Sequence, residues 1–324
     1  MSKGRVFVVG SANLDRFLYV DAFVRAGETI SSTSSKEAVG GKGLNQAVAA
    51  ARAGASTWMV GNLGGDGAAA TITTAIEGEE NLHLGFLTSQ TGPSDEPGTP
   101  GTATPTGQAM IQISKDGDNA IVLIAGANAT ITTEHVTEAL TNLTSADVVV
   151  CQREIPDPVT GHALALAKEK GATTVLNLAP ATADTSLLAH VDLLIVNETE
   201  AATLLGSTPT APEPETALAG AIHDRFGLST ILTAGPDGAY IAAGGETSHI
   251  NAITCDVVDT TGAGDAFVGA TAALLAEGAD LARATSYGIA AATAACSAPG
   301  AQGYTQRRRD FDALLAATAA TTDH

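Results

Sequence analysis

Short β-branched runs alternate with longer Ala- and Leu-rich stretches along most of this chain. The runs "RVFVV" (5–9), "TWMVG" (57–61), "ADVVVC" (146–151), "TTVLNL" (173–178), "DLLIV" (192–196) and "STILTA" (229–234) read as buried strands. Patterns of helical period fall near 43–53, 66–77, 133–144, 158–170, 198–205, 214–226, 263–277 and 280–297. Such alternation predicts a mostly parallel sheet with helices on both faces. In sheets of this kind ligands bind beyond the carboxyl ends of the strands.

Two regions break the rhythm. Residues 16–38 lie between the first strand and the first helix, and 107–125 read as a hairpin turning at "KDGD". Together they predict a small β-sheet over the mouth of the main layer. The segment 91–107, "TGPSDEPGTPGTATPTG", has the composition of a loop or linker. There is no internal repeat and no boundary between large domains. Residues 1–324 therefore read as one domain with the two lid segments inserted in it.

Composition narrows the class. With 44% hydrophobic but 4% aromatic residues, the core must be built from Ala, Val, Leu and Ile. A formal net charge of −19 repels nucleic acid and anionic membranes, so neither is expected as a partner. Cys151, Cys255 and Cys296 make neither metal spacing nor an even disulfide framework, which suits a reducing cytoplasm. The N-terminus runs straight into a strand pattern without a signal-peptide apolar stretch. No apolar run reaches the roughly 18 residues that a bilayer span needs.

Chemistry gathers at the predicted strand ends. "DTTGAGDAF" (259–267) sets Asp265 behind Gly262, Ala263 and Gly264 at the start of a long helix. Free N–H groups and the positive dipole end make an anion site there. Asp265 is then either a helix cap or a base aimed at a nucleophile attacking that anion. "VGGKGLNQAVAAARAGA" (39–55) offers Gly40, Gly41 and Gly43 before another helix, with Lys42 as a cation and Asn45 as donor and acceptor. It is neither a Walker A loop nor a dinucleotide fingerprint. Asn13 and Asp15 leave the first strand on one face and suit vicinal hydroxyls. Glu154, then Asn197 and Glu200, then "LTAGPDGAY" (232–240) follow three further strands. Simpler readings stand beside these. Lys42 would be a solvated lysine, Glu200 a helix N-terminal charge and Glu154 the partner of Arg153 in a surface ion pair.

"GGKGLNQAVAAARAGA" and "DTTGAGDAFVGA" resemble the two signature motifs of the PfkB carbohydrate kinase family. With Asn13-x-Asp15, "AGAN" (125–128), "VNETEA" (196–201) and "PGAQ" (299–302), the chain is most similar to the ribose-phosphorylating members, from about residue 5 to 315. The resemblance implies a three-layer α/β/α sandwich with a mostly parallel central sheet and a small β-sheet lid. It implies transfer of the ATP γ-phosphate to a sugar primary hydroxyl, first of all D-ribose. Deoxyribose, another furanose or a nucleoside is the alternative, and an inactive sugar sensor a further one.

By matching positions, Asn13, Asp15, Gly41, Lys42, Gly43, Asn45 and Glu154 would bind the sugar, with Asp265 as base. Gly262, Ala263 and Gly264 would form the anion hole. Asn197, Thr233, Gly235, Gly238, Gly264 and Ile289 would bind ATP. Glu200 would order Mg²⁺ through water. Potassium would sit on Asp259, Thr261, Ala295, Ala298, Gly300 and Tyr304, where Tyr304 replaces the usual small hydroxyl residue. The family also implies a homodimer through the lid. Two departures stand out: the length of the loop 91–107, and Arg153 at a commonly apolar position.

Overall fold

In a computed structural model of the protein, residues 3–90, 104–206 and 215–322 are described. The segment 91–103, most of the Pro/Gly/Thr-rich loop, lies outside them. The chain opens with β1 (Val6–Val9), β2 (Asn13–Val20), β3 (Ser34–Gly40), α1 (Lys42–Arg52), β4 (Thr57–Gly64), α2 (Gly67–Ile76) and β5 (Leu82–Gln90). It continues with β6 (Gly107–Ser114), β7 (Asn119–Ile124), α3 (Thr133–Ala139), β8 (Val148–Cys151), α4 (Asp157–Glu169) and β9 (Thr173–Asn177). Then come β10 (Leu193–Asn197), α5 (Glu198–Leu205), α6 (Glu215–Phe226), β11 (Ser229–Thr233), β12 (Ala239–Ala243) and β13 (Glu246–Ile250). Helices α7 (Ala263–Ala276), α8 (Leu281–Cys296) and α9 (Arg308–Thr322) close the chain.

Nine strands form one sheet in the order β13-β12-β11-β10-β9-β8-β1-β4-β5, parallel except for the antiparallel β11–β12 and β12–β13 pairs. Strand periodicity explains how it is covered on both sides. Val6 and Val8 of β1, Val148 and Val150 of β8, and Leu193 and Ile195 of β10 enter one core with α1, α2, α7 and α8. Their alternates Phe7, Val9, Val149, Cys151, Leu194 and Val196 enter the other, with α3, α4, α5 and α6. The three-layer α/β/α expectation holds. Strands β5, β12 and β13 extend the sheet beyond the six runs legible in the sequence.

A second sheet, β3-β2-β6-β7, forms the lid. Its β2 starts at Asn13, three residues before the predicted segment, because the chain leaves β1 and turns into the lid almost at once. Asp66 anchors the other lid segment. It caps α2 by accepting from Ala69 N at 3.0 Å, and it accepts from Thr106 N at 2.9 Å and Thr106 Oγ1 at 2.6 Å. The start of β6 is thereby fixed to the end of β4.

From β1 the order runs through β4 to β5 on one side and through β8 to β11 on the other. The carboxyl end of β1 is thus the switch point, where neighbouring crossovers diverge and leave a crevice.

Candidate active site

Beyond β1, the chain meets the N-terminus of α1. Gly41 caps that helix at φ 91°, a left-handed conformation, and a Cβ there would lie 2.8 Å from Ala12 Cα. Ser11 and Glu154 hold the junction: Glu154 Oε2 accepts from Ser11 Oγ at 2.6 Å and from Lys42 N at 3.1 Å. Arg153 turns elsewhere, donating to Asp157 Oδ2 at 2.7 Å and Pro180 O at 3.1 Å. The surface ion pair of Arg153 with Glu154 is therefore replaced by one with Asp157. Asn13 is buried, and its Oδ1 accepts from Asn128 Nδ2 at 2.7 Å. Asn128 in turn accepts from Ala12 N at 3.0 Å, so the "AGAN" turn clamps the exit from β1.

Asp15 Oδ1 is buried without a hydrogen-bond partner. Burial, then the charges of Glu154 and Asp265, push its carboxyl up to about 7. Lys42 faces the same acids. Burial opposes its charge, but Asp265, Glu154 and Glu200 outweigh it and raise its pKa above the ordinary value. A solvated lysine does not fit this setting. Glu200 is raised chiefly by burial, against the pull of its bond from Asn197 N and of Lys42. It forms a reciprocal cap with Asn197: Glu200 Oε2 accepts from Asn197 N at 2.9 Å, and Asn197 Oδ1 from Glu200 N at 2.8 Å. The helix-terminal reading of Glu200 is thus realised, while the residue still lines the cavity described next.

Asp265 lies in the first turn of α7, 8% exposed. The turn is set by Gly262, which caps the helix at φ 77° in the left-handed region. Asp265 Oδ2 accepts from Asn45 Nδ2 at 2.9 Å, and Oδ1 from Gln46 Nε2 at 2.9 Å. Asn45, expected to face sugar hydroxyls, thus has its amide on the carboxylate and its Oδ1 on Gln302 Nε2 at 2.8 Å. Of the anion-hole candidates, Ala263 N donates to Thr260 O at 3.2 Å.

Two cavities meet here. A small one of about 140 Å³ is lined by Lys42, Asn197, Glu200, Gly262, Gly264 and Asp265. A larger one of about 540 Å³ is lined by Gly235, Gly238, Ile289, Phe267, Thr293 and Cys296, among others. Thr233 and Gly264 line both. Asn13, Asp15, Gly41, Gly43 and Glu154 line neither, and Gly43 serves packing, its Cα facing Gly10. Sequence reasoning missed Ser11, Gln46, Asn177 and Phe267. Gln46 and Phe267 sit inside the quoted motifs and could have been found there.

The potassium candidates lie on two joined loops. Asp259 Oδ1 accepts from Thr261 N at 2.9 Å, and Oδ2 from Gly300 N at 2.8 Å. Burial opposes ionisation of Asp259, but these bonds hold its carboxyl below the ordinary range. Tyr304 is buried in the core, and its carbonyl accepts from Arg52 Nη1 at 2.6 Å.

A model of the pfkB family of carbohydrate kinases matches residues 3–80 and 99–307. The chain belongs to that family. It is 37% identical to a ribokinase of Staphylococcus aureus over 302 residues, 92% of this chain and 95% of the relative. It is 33% identical to a ribokinase of Bacillus subtilis over 311 residues, 96% and 99% of the two chains. Among solved structures, Arabidopsis thaliana ribokinase complexed with ribose and ATP superposes with a TM-score of 0.81 at 29% identity, covering 97% of this chain and 99% of that one. The buried carboxylate of Asp265 stands at a helix N-terminus beside one small and one larger cavity. Among the described residues no helix is long and apolar enough to cross a membrane.

Proposed function

We propose that this kinase transfers the γ-phosphate of ATP to the primary hydroxyl of D-ribose, giving ribose 5-phosphate and ADP. The observation that carries the reading is Asp265, buried in the first turn of α7 and lining the small cavity where it joins the larger one. Asp265 accepts the hydroxyl proton as that oxygen attacks the γ-phosphorus. The bond from phosphorus to the bridging oxygen breaks, and ADP leaves. N–H groups of Gly262 and Gly264, with that of Ala263 once it leaves Thr260 O, stabilise charge on the transferring group. Positioning and preorganised charge supply most of the rate in such a transfer.

The larger cavity suits the nucleotide, with Ile289 and Phe267 against adenine and Gly235 and Gly238 under the ribosyl side. Thr233 and Asn197 stand along the phosphates, and Lys42 faces the transferring group. On the sugar side, Asp15 and Glu154 accept from hydroxyls, while Asn13, Asn45 and the backbone of Gly41 and Gly43 shape the site. Sugar hydroxyls would supply the partner that Asp15 Oδ1 lacks.

Mg²⁺ would travel on the nucleotide phosphates. Glu200 fits it through water, because its capped carboxylate is partly buried in the cavity and favours a neighbouring cation. Potassium would be held by main-chain oxygens of Asp259, Thr261, Ala295, Ala298 and Gly300. The Asp259 bridge to Thr261 and Gly300 supports this by holding the two loops together. Tyr304 is the weakest member, since Arg52 takes its carbonyl.

The whole chain, 1–324, works as one kinase domain with the lid inserted. Outer lid strand β7 exposes Ile121, Val122, Leu123 and Ile124 by 40–63%, which supports a homodimer through the lids. Free Cys151, Cys255 and Cys296 support a cytoplasmic setting.

The test is ADP release with Mg-ATP over ribose, 2-deoxyribose, other pentoses, hexoses and nucleosides. Ribose is expected to give the highest kcat/KM. Deoxyribose should fall behind, because a site built to accept a hydroxyl leaves its acceptor unpaired without it. Equal values for the two sugars would move the assignment to the alternative, a kinase for deoxyribose, another furanose or a nucleoside.

A further inference from the structure

We infer that Gln46 is a positioning residue for Asp265, and that Gln152 braces the Gln46 amide from its other end. This rests on the reading of Asp265 as the base. Gln46 sits on α1, fully buried, and its Nε2 donates both to Asp265 Oδ1 at 2.9 Å and to Asn177 Oδ1 at 3.0 Å. Gln152, fully buried just after β8, donates from Nε2 to Gln46 Oε1 at 2.6 Å.

The direction of the amides matters. Turned over, Gln46 would set its carbonyl oxygen against the Asp265 carboxylate, two acceptors face to face. The acceptors Asp265 Oδ1 and Asn177 Oδ1 exclude that alternative, and Gln152 braces the remaining one by donating to Gln46 Oε1. The fold accepts a penalty for this: Gln152 Oε1 is buried without a partner. Apolar side chains of similar shape at both positions would avoid it, since a buried unpaired oxygen costs more than an apolar replacement. Buried amides kept at such cost point to a demand other than stability.

The second carboxylate oxygen is gripped in the same manner. Asn45 donates to Oδ2, and Gln302, from the C-terminal loop, sets the Asn45 amide by donating to its Oδ1. Each oxygen of Asp265 is thus aimed by one amide, and each amide is oriented by a second. A carboxylate clamped at both oxygens keeps its free lone pairs directed at one point, where the attacking hydroxyl must lie.

The test is steady-state kinetics of Gln46→Met, alone and combined with Asp265→Asn, by a radiometric assay able to follow slow turnover. Misplacing a catalytic group can cost about 100-fold. Alone, Gln46→Met is expected to lower kcat by about 10–100-fold, with KM for ribose and ATP within about threefold. In the Asp265→Asn background it should change kcat by less than about twofold, because the group it aims has lost its function. Wild-type kcat in Gln46→Met, or equal losses in both backgrounds, would overturn the inference while leaving the reaction standing. Absence of sugar-dependent ADP release by the wild-type protein would overturn the reading of Asp265 and this inference with it. Should Gln46→Met not fold, Gln152→Met reports on the same chain. It should lower kcat less, with the same dependence on Asp265, and an equal loss in both backgrounds would again refute the role.

Discussion

Replacing Asp15 by Asn should stabilise the sugar-free protein and abolish its grip on sugar. Asp15 shares a crevice with Glu154 and Asp265, and its carboxyl is raised from 3.8 to about 7. The folded state therefore holds a proton on Asp15 at pH values where the unfolded chain has released it. Stability associated with this group is complete below pH 3.8, falls as pH rises towards 7, and levels off above. Between pH 5 and pH 8 the loss spans about two pH units at about 1.4 kcal/mol each, or about 2–3 kcal/mol. Asn cannot ionise, so the mutant escapes this loss. Unfolding entropy is about 2.1 cal/mol/K per residue, so the gap in Tm between mutant and wild type should widen by about 3–4 °C from pH 5 to pH 8. Differential scanning calorimetry of both proteins without sugar measures it. Ribose favours the ionised carboxylate, so below pH 7 its binding should release a proton, seen by titration calorimetry in buffers of different ionisation enthalpy. A Tm gap that stays constant from pH 5 to pH 8, or a mutant less stable at pH 8, would refute the argument.

Three further outcomes follow from the site. Asp265→Asn keeps the shape but cannot take the proton, so kcat should fall about 10²–10⁴-fold while ribose and ATP still bind by calorimetry; near-normal turnover would remove Asp265 as base. Gly262→Ala should lose about 1–2 kcal/mol in urea unfolding and slow turnover, because φ is 77° and the new Cβ would lie 2.5 Å from Ala301 Cα; unchanged stability would contradict it. Potassium should raise kcat more than it alters the ribose KM, with sodium weaker, and identical activity in potassium, sodium and a bulky organic cation at equal ionic strength would dismiss the cation site.

Much of this protein was legible in the linear chain because its signals are local. Continuous β-branched runs and a 3.6-residue periodicity announce β1, β8, β10 and the long helices wherever they end up in space. The glycines before Asp265 and before Lys42 mark backbone turns that glycine alone adopts easily, and Gly262 and Gly41 do have positive φ. Those turns place Asp265 and Lys42 at helix N-termini whatever surrounds them. Less legible were the edge strands β5 and β13, where exposed positions break the apolar run, and β12, whose Ala-rich sequence offers one β-branched residue.

Only the tertiary structure decided what each polar residue touches. Glu154 became a clamp on Ser11 and Lys42 N rather than a partner of Arg153, because β8 lies beside β1 in the sheet. Asn45 turned to Asp265 because α1 packs along α7, joining residues 220 apart in the chain. Asp15 moved to about 7 because burial strips its carboxylate of water and Glu154 and Asp265, from separate segments, add their charge. Periodicity and turn chemistry act over a few residues, and a sequence displays them directly. Charge coupling, desolvation and the aim of a buried amide depend on distances that exist once the sheet order brings distant strand ends together.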